Sequence, residues 1–113
     1  MSVCSYMQIS TATASPAIAA ETVEALAETF RLLGDPTRVR IVHALSTGEF
    51  CVHEIADRVG ISESAVSHQL RLMRAQRIVR GRREGRCVYY TLDDQHILSL
   101  FQQGLRHVTE EAR

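Results

Sequence analysis

The sequence predicts a mainly α-helical domain carrying one small β-hairpin. Successive stretches place apolar residues at three- and four-residue spacing, the period of a helix with one apolar face. One stretch, residues 78–92, instead alternates side-chain types beyond an Arg-Glu-Gly-Arg turn, which is the pattern of a hairpin. At 113 residues the chain is long enough for one domain with a single modest core.

Composition narrows the class. No apolar run approaches the ~18 residues of a membrane span, and the first twenty residues lack the basic start and apolar core of a signal peptide. Three widely spaced cysteines do not form a disulfide framework, so a reducing, cytoplasmic setting is expected. The formal net charge is zero but unevenly spread. Residues 71–86 hold seven arginines and a single acid, Glu84, and the chain contains no lysine. An arginine run can be a solvated surface. So dense a block, however, repels itself unless an anion offsets it, and nucleic acid is the usual such partner.

The elements follow in order. Residues 1–16, rich in Ser, Thr and Ala and without periodicity, read as a mobile arm preceding a domain over 17–113. From Ala17 to Leu33, Val23, Leu26, Phe30 and Leu33 form an apolar face among glutamates, predicting a helix that stops at Gly34. Asp35 and Pro36 restart the chain as cap and first helical residue. This second helix runs to about Leu45 and is expected to bury Val39, Ile41, Val42 and Leu45. A short helix over Val52–Val59 stops at Gly60. Ser62 caps another that runs to about Gln76, with Glu63 in its positive first turn. Two helices joined by a short glycine turn make a helix-turn-helix, although a plain helical hairpin would look similar.

The second of these helices favours DNA. Val66, Leu70 and Met73 share one stripe, and Ser64, Ser67, His68 and Arg71 fall opposite it. That outer face, with Gln69 beside it, offers hydrogen-bonding groups and no carboxylate, as suits a helix reading base edges in a major groove. In the hairpin that follows, Val88, Tyr90 and Leu92 alternate with Cys87, Tyr89 and Thr91, and Arg80, Arg82, Arg83 and Arg86 crowd the tip. Charge can protect a sheet edge from aggregation. Directly after a helix-turn-helix, the pattern reads as a wing whose arginines meet phosphates or the minor groove.

The last helix, "DDQHILSLFQQGLRHVTEE", carries an apolar stripe of Leu98, Phe101, Leu105 and Val108. Asp94 and His96 begin it, and His107 and Glu110 end it. The two histidines share a side but lie roughly 16 Å apart along the axis, and metal–nitrogen bonds are only ~2 Å long. Cooperation therefore requires two chains with their last helices antiparallel in a homodimer. Each of two symmetric sites would then gather two nitrogens and two carboxylates, a set suited to Zn2+ or Co2+. Asp94 and His96 would diverge by about 160° in a regular helix, so convergence requires Asp94 at or before the cap. Spacing alone leaves open a plain cap with solvated His107 and Glu110.

The stretches "LGDPTRVRIV", "EFCVHEIA", "SESAVSHQLRLMR", "EGRCVYY" and "DDQHILSLF", with His107 and Glu110 downstream, resemble the ArsR/SmtB family of bacterial metal-responsive repressors. The resemblance covers about Leu26 to Glu110 and implies a dimeric winged-helix fold. It is closest to the zinc sensors of the SmtB type, whose interfacial site it carries onto Asp94, His96, His107 and Glu110. It implies that the apo dimer binds an operator, and that metal lowers DNA affinity and derepresses an efflux or sequestration gene. The ligand set does not rank Zn2+ against Co2+, Ni2+ or Cd2+. It also implies a second site from Cys51, His53 and Glu54, with Cys4 of the arm. Here His53 stands where arsenite, cadmium and lead sensors have a second thiolate, which argues against arsenite. A buried Cys51 and a solvated His53 compete with that reading, while Cys87 is expected to pack and His43 to be structural. A thiol-sensing repressor of the same fold, using Cys51 and Cys87, is the alternative. An enzyme is not expected, because four protein ligands close a metal site and no nucleophile motif or small-molecule substrate site is evident.

Overall fold

The structure, a computed structural model, describes residues 17–110. The arm expected over residues 1–16, with Cys4, lies outside the described residues, as do residues 111–113. The elements are helices α1 (Ala20–Leu33) and α2 (Pro36–Ser46), strand β1 (Phe50–Cys51), helices α3 (Val52–Val59) and α4 (Glu63–Ala75), strands β2 (Val79–Glu84) and β3 (Cys87–Leu92), and helix α5 (Gln95–Glu110).

The local signals act as the side chains dictate. Asp35 Oδ2 accepts from the Arg38 N–H at 3.2 Å, and Ser62 Oγ accepts from the Ala65 N–H at 3.1 Å. Each satisfies a donor that a helix start leaves without an internal partner. Gly60 takes φ 83°, the left-handed conformation that closes α3 tightly before α4 begins. The first helix starts at Ala20 rather than Ala17, since Ala19 is extended (ψ 148°) and offers no capping side chain.

The sheet has three strands rather than the expected two. Its order is β1-β3-β2, all antiparallel, with Phe50 opposite Tyr90 and Cys51 opposite Tyr89. A two-residue strand is too short to show a period of two, so β1 left no alternation to read. In the hairpin Val79 faces Leu92 and Glu84 faces Cys87. Gly81 lies opposite Tyr90, and a Cβ there would stand 3.1 Å from Cε1 of the tyrosine ring and 3.0 Å from Val88. The absent side chain lets the ring lie across β2.

One core joins these pieces: Ile41, Val42 and Leu45 of α2, Ile55 of α3, Val66, Leu70 and Met73 of α4, then Ile78, Val79 and Leu92 at the base of the hairpin. The helix-turn-helix and the wing thus share buried side chains. Val39 departs from expectation, being 41% exposed. It faces outward beside α1 and α5, in a groove it lines with Phe30, Leu33, Leu100, Phe101 and Leu105. The apolar face predicted for α1 is similarly uncovered: Val23, Leu26 and Phe30 are exposed and only Leu32 is buried. Helix α5 buries no residue fully, and Ile97, Leu98 and Phe101 pack at the edge of the core. His43 is exposed, with its ring centroid 6.0 Å from that of Phe101. Among the described residues no helix is long and apolar enough to cross a membrane.

Candidate nucleic-acid interface and metal centre

Helix α4 turns Val66, Leu70 and Met73 into the core and leaves Ser64, Ser67, His68 and Arg71 exposed. The placement follows the 3.6-residue period. Gln69 differs: it is half-buried, and its Oε1 accepts from Arg38 Nε at 2.7 Å, tying α4 to α2. This bond occupies the amide oxygen and leaves the amide NH2 as donor.

The wing carries Arg80, Arg82 and Arg83 on β2 and Arg86 in the turn, all exposed. Arg82 is set apart from the others. Its Nη2 and Nε donate to the two carboxylate oxygens of Glu49 at 2.8 and 3.1 Å, and its Nη1 donates to Glu84 at 2.6 Å. Its guanidinium lies 5.4 Å from the Tyr89 ring centroid. Hydrogen bonding from Arg82 holds the Glu49 carboxyl below its usual range. Two carboxylates thus already offset the charge of Arg82, unlike that of its neighbours on the wing. Sequence reading had no signal for this, since Glu49 lies 33 residues away. Among the described residues, Arg71, Arg74, Arg77, Arg80, Arg83 and Arg86 have no carboxylate at ion-pair distance.

At the start of α5, Asp94 precedes the first helical residue. Its Oδ1 accepts from the Ile97 N–H at 3.1 Å, and its Oδ2 lies 3.4 Å from His96 Nδ1. The out-of-helix position is what brings together two side chains that helical geometry would splay. The Ile97 hydrogen bond, aided by His96, lowers the Asp94 pKa. At the far end His107 and Glu110 are exposed and three residues apart, and Arg106 Nε approaches Glu110 at 4.0 Å. Among the described residues of one chain, no three His, Cys, Asp or Glu side chains come together to hold a metal ion. The two pairs sit at opposite ends of a 16-residue helix.

The described members of the second set, Cys51, His53 and Glu54, make contacts within the chain. Glu54 accepts from the Cys51 N–H at 2.9 Å, which caps α3 and lowers the Glu54 pKa. His53 turns toward the start of α4, with Nδ1 3.0 Å from Glu63 and Nε2 3.8 Å from Asp57. Cys51 is half-buried, whereas Cys87, expected to pack, is exposed because its position in β3 faces away from the core. The bond to Glu63, then the Asp57 charge, raises the His53 pKa above 6.5. A raised basic pKa stabilises the fold below its unfolded value, and that gain is lost as pH rises through the folded value. The stability difference between the native chain and His53→Ala is expected to be greatest below pH 6.5 and to shrink in alkali. Urea denaturation from pH 5.5 to 9 measures it. A difference that grows with pH contradicts the bridge.

Comparison with known proteins gives this geometry a family. Residues 35–80 match the family described as "Bacterial regulatory protein, arsR family". A transcriptional repressor SmtB homolog of Synechocystis is 48% identical over 85 residues, covering 75% of this chain and 64% of that protein. A cadmium resistance transcriptional regulatory protein CadC homolog of Staphylococcus aureus is 41% identical over 88 residues, covering 77% and 73%. The chain belongs to the arsR family. The fold agrees: the solution structure of a homodimeric winged helix-turn-helix DNA-binding domain from Mycobacterium bovis superposes with a TM-score of 0.75 at 27% identity, covering 82% of this chain and 85% of that one.

The matched stretch of this arsR-family chain runs from the Asp35 cap through the helix-turn-helix to Arg80. It includes the exposed face of α4 and the base of the wing. Helix α5 lies beyond it. The alignment spans just under two thirds of the Synechocystis repressor's own length. Those relatives are regulators of transcription, not enzymes.

Proposed function

We propose that this protein is a metal-sensing transcriptional repressor. The observation that carries the reading is the pair of ligand-bearing ends on one exposed helix, three residues from the wing strand. Two chains with antiparallel α5 helices would set Asp94 and His96 of one beside His107 and Glu110 of the other. Two imidazoles and two carboxylates fit Zn2+, with Co2+, Ni2+ and Cd2+ as close alternatives. When bound, the ion supplies a positive charge that holds the two helices together through those ligands.

The residues of the chain do the rest. Asp94 caps α5 and holds His96 beside it. The neighbouring Asp93 N–H donates to Ile78 O at 2.9 Å, so the ligand end of α5 is stitched to the base of β2. A shift of α5 is thereby transmitted to the wing. Operator binding falls to Ser64, Ser67, His68 and Arg71 on α4 and to Arg80, Arg83 and Arg86 near the wing. Metal and DNA then favour different dimer shapes, and each weakens the other's binding by the same factor. The test is operator binding with and without each metal. Metal-dependent release by the native chain and none by His107→Ala is expected, and equal release by both overturns the reading.

The wing makes a separate prediction. Replacing Arg83 or Arg86 with alanine should lower the slope of log K against log salt by about one per lost phosphate contact. Replacing Arg82 should leave the slope unchanged, because its charge is already offset by Glu49 and Glu84. A slope that falls with Arg82→Ala would put that residue on a phosphate.

One observation favours a second reading. Cys51 faces Tyr89 across the sheet, and Cys87 precedes Tyr89 by two positions on the same face. Both cysteines thus neighbour Tyr89 on one sheet, which puts the only two described thiols of the chain in one region. Retention of metal-dependent release by the Cys51→Ser, Cys87→Ser double variant removes this alternative.

A further inference from the structure

We propose that the crevice between α4 and the sheet is a seat for one DNA backbone phosphate, held by Arg71 and Arg74 with Ser67 and Tyr90. The proposal rests on the reading that the chain binds DNA, and adds residues that neither the sequence nor that reading assigned.

The crevice has a volume of about 320 Å3 and is lined by Ser67, Leu70, Arg71, Arg74, Ala75 and Tyr90. Leu70 belongs to the core at 1% exposure, so the floor is rigid. Ser67, Arg71 and Arg74 are spaced four and three apart, which puts them in one row along the helix. Tyr90 closes the other side from β3, its ring held across Gly81 in a space that any larger residue would fill. The chemistry of the lining is one-sided. Two arginines and two hydroxyl-bearing residues line the same space, and no carboxylate does. Neither arginine has a carboxylate at ion-pair distance among the described residues, in contrast to Arg82. Unneutralised guanidinium groups with hydroxyl donors select an oxyanion, and Arg matches phosphate with two parallel donors.

Position then selects the source. The crevice lies between the exposed face of α4, which would enter the major groove, and the wing, which would reach the neighbouring minor groove. The strand passing between two adjacent grooves is a sugar-phosphate backbone. This assigns Arg71 to the backbone rather than to base edges. It leaves base readout to Ser64, Ser67 and His68, nearer the helix N-terminus, with Ser67 shared between the two.

The experiment measures binding of native protein, Arg74→Ala, Arg71→Ala and Tyr90→Phe to an operator duplex and to a scrambled duplex over a salt series. Arg40→Ala, which removes an exposed arginine from another surface, is the control. Arg74→Ala and Arg71→Ala are each expected to weaken both duplexes equally and to lower the salt slope by about one. Tyr90→Phe, which keeps the ring, should weaken both duplexes equally with an unchanged slope. Unchanged affinity and slope for Arg74→Ala overturns the seat. So does a loss confined to one base-pair position, which would make the crevice a base reader. Saturable binding of inorganic phosphate to the native protein, lost in Arg74→Ala while duplex binding persists, would assign the crevice to a free anion and also overturns it. Absence of salt-sensitive binding by the native protein to either duplex would instead overturn the DNA reading itself.

Discussion

Mixing equal amounts of His96→Ala and His107→Ala chains should restore about a quarter of the native high-affinity zinc capacity, because about half of the reassorted dimers are heterodimers and each of these has one intact site of two. In either homodimer both sites miss one ligand, and zinc affinity should fall by ~100-fold or more, since even removal of a residue behind the ligands costs 10–100-fold. In the heterodimer one site combines the two defects and the other is intact. The geometry makes this arithmetic unavoidable if ligands are shared between chains. Asp94 and His96 lie together at one end of α5, His107 and Glu110 at the other, and among the described residues no single chain gathers a third ligand. Both variants should still dimerise and bind an operator, because His96 and His107 lie outside the apolar stripe. Calorimetric zinc titration of the mixture gives the answer. A mixture that binds no better than its components would show that the sites are not shared.

How much of this was legible beforehand depended on the range of the interaction. The caps Asp35 and Ser62, the Gly60 stop and the α4 stripe act within four residues, and the chain folds there as their chemistry dictates. Asp94 was legible in the same way. The two-residue offset from His96 demanded a position outside the helix, and the Ile97 N–H bond supplies it. Contacts between distant segments left no periodic trace. The Glu49–Arg82 pair, the Arg38–Gln69 bond and the β1 strand each join distant positions, and they give Arg82 and Gln69 partners within the chain that no local pattern announces. The crevice beside Arg74 was hidden for the same reason, because Tyr90 reaches it only once β3 is paired. The apolar faces of α1 and α5 were read correctly as faces, yet within one chain they cover little. An amphipathic period says that a face is apolar, not which chain it meets.

Those faces lead to the second large effect. Leu105→Glu should weaken dimerisation by at least ~30-fold, the fold-change of a 2 kcal/mol loss at an interface hot spot. Phe30, Leu33, Val39, Leu100, Phe101, Leu105 and Val108 line one apolar groove between α1, α2 and α5. Val23, Leu26, Phe30, Val39, Leu100, Leu105 and Val108 are each 38–59% exposed in the single chain. A continuous patch of this kind marks a surface that another protein covers. On the proposed reading, a second copy of this chain is the occupant. Leu105 lies on that stripe and outside the core, so a glutamate there charges the interface without opening a cavity in the fold. Helical circular dichroism should therefore persist while sedimentation shifts to the monomer. Two consequences follow together: the monomer holds only half of each ligand set and binds zinc weakly, and it presents one α4 instead of two, so operator affinity collapses. An unaltered dimer in sedimentation would place the interface elsewhere. A monomer that keeps full zinc affinity would separate metal binding from the dimer altogether.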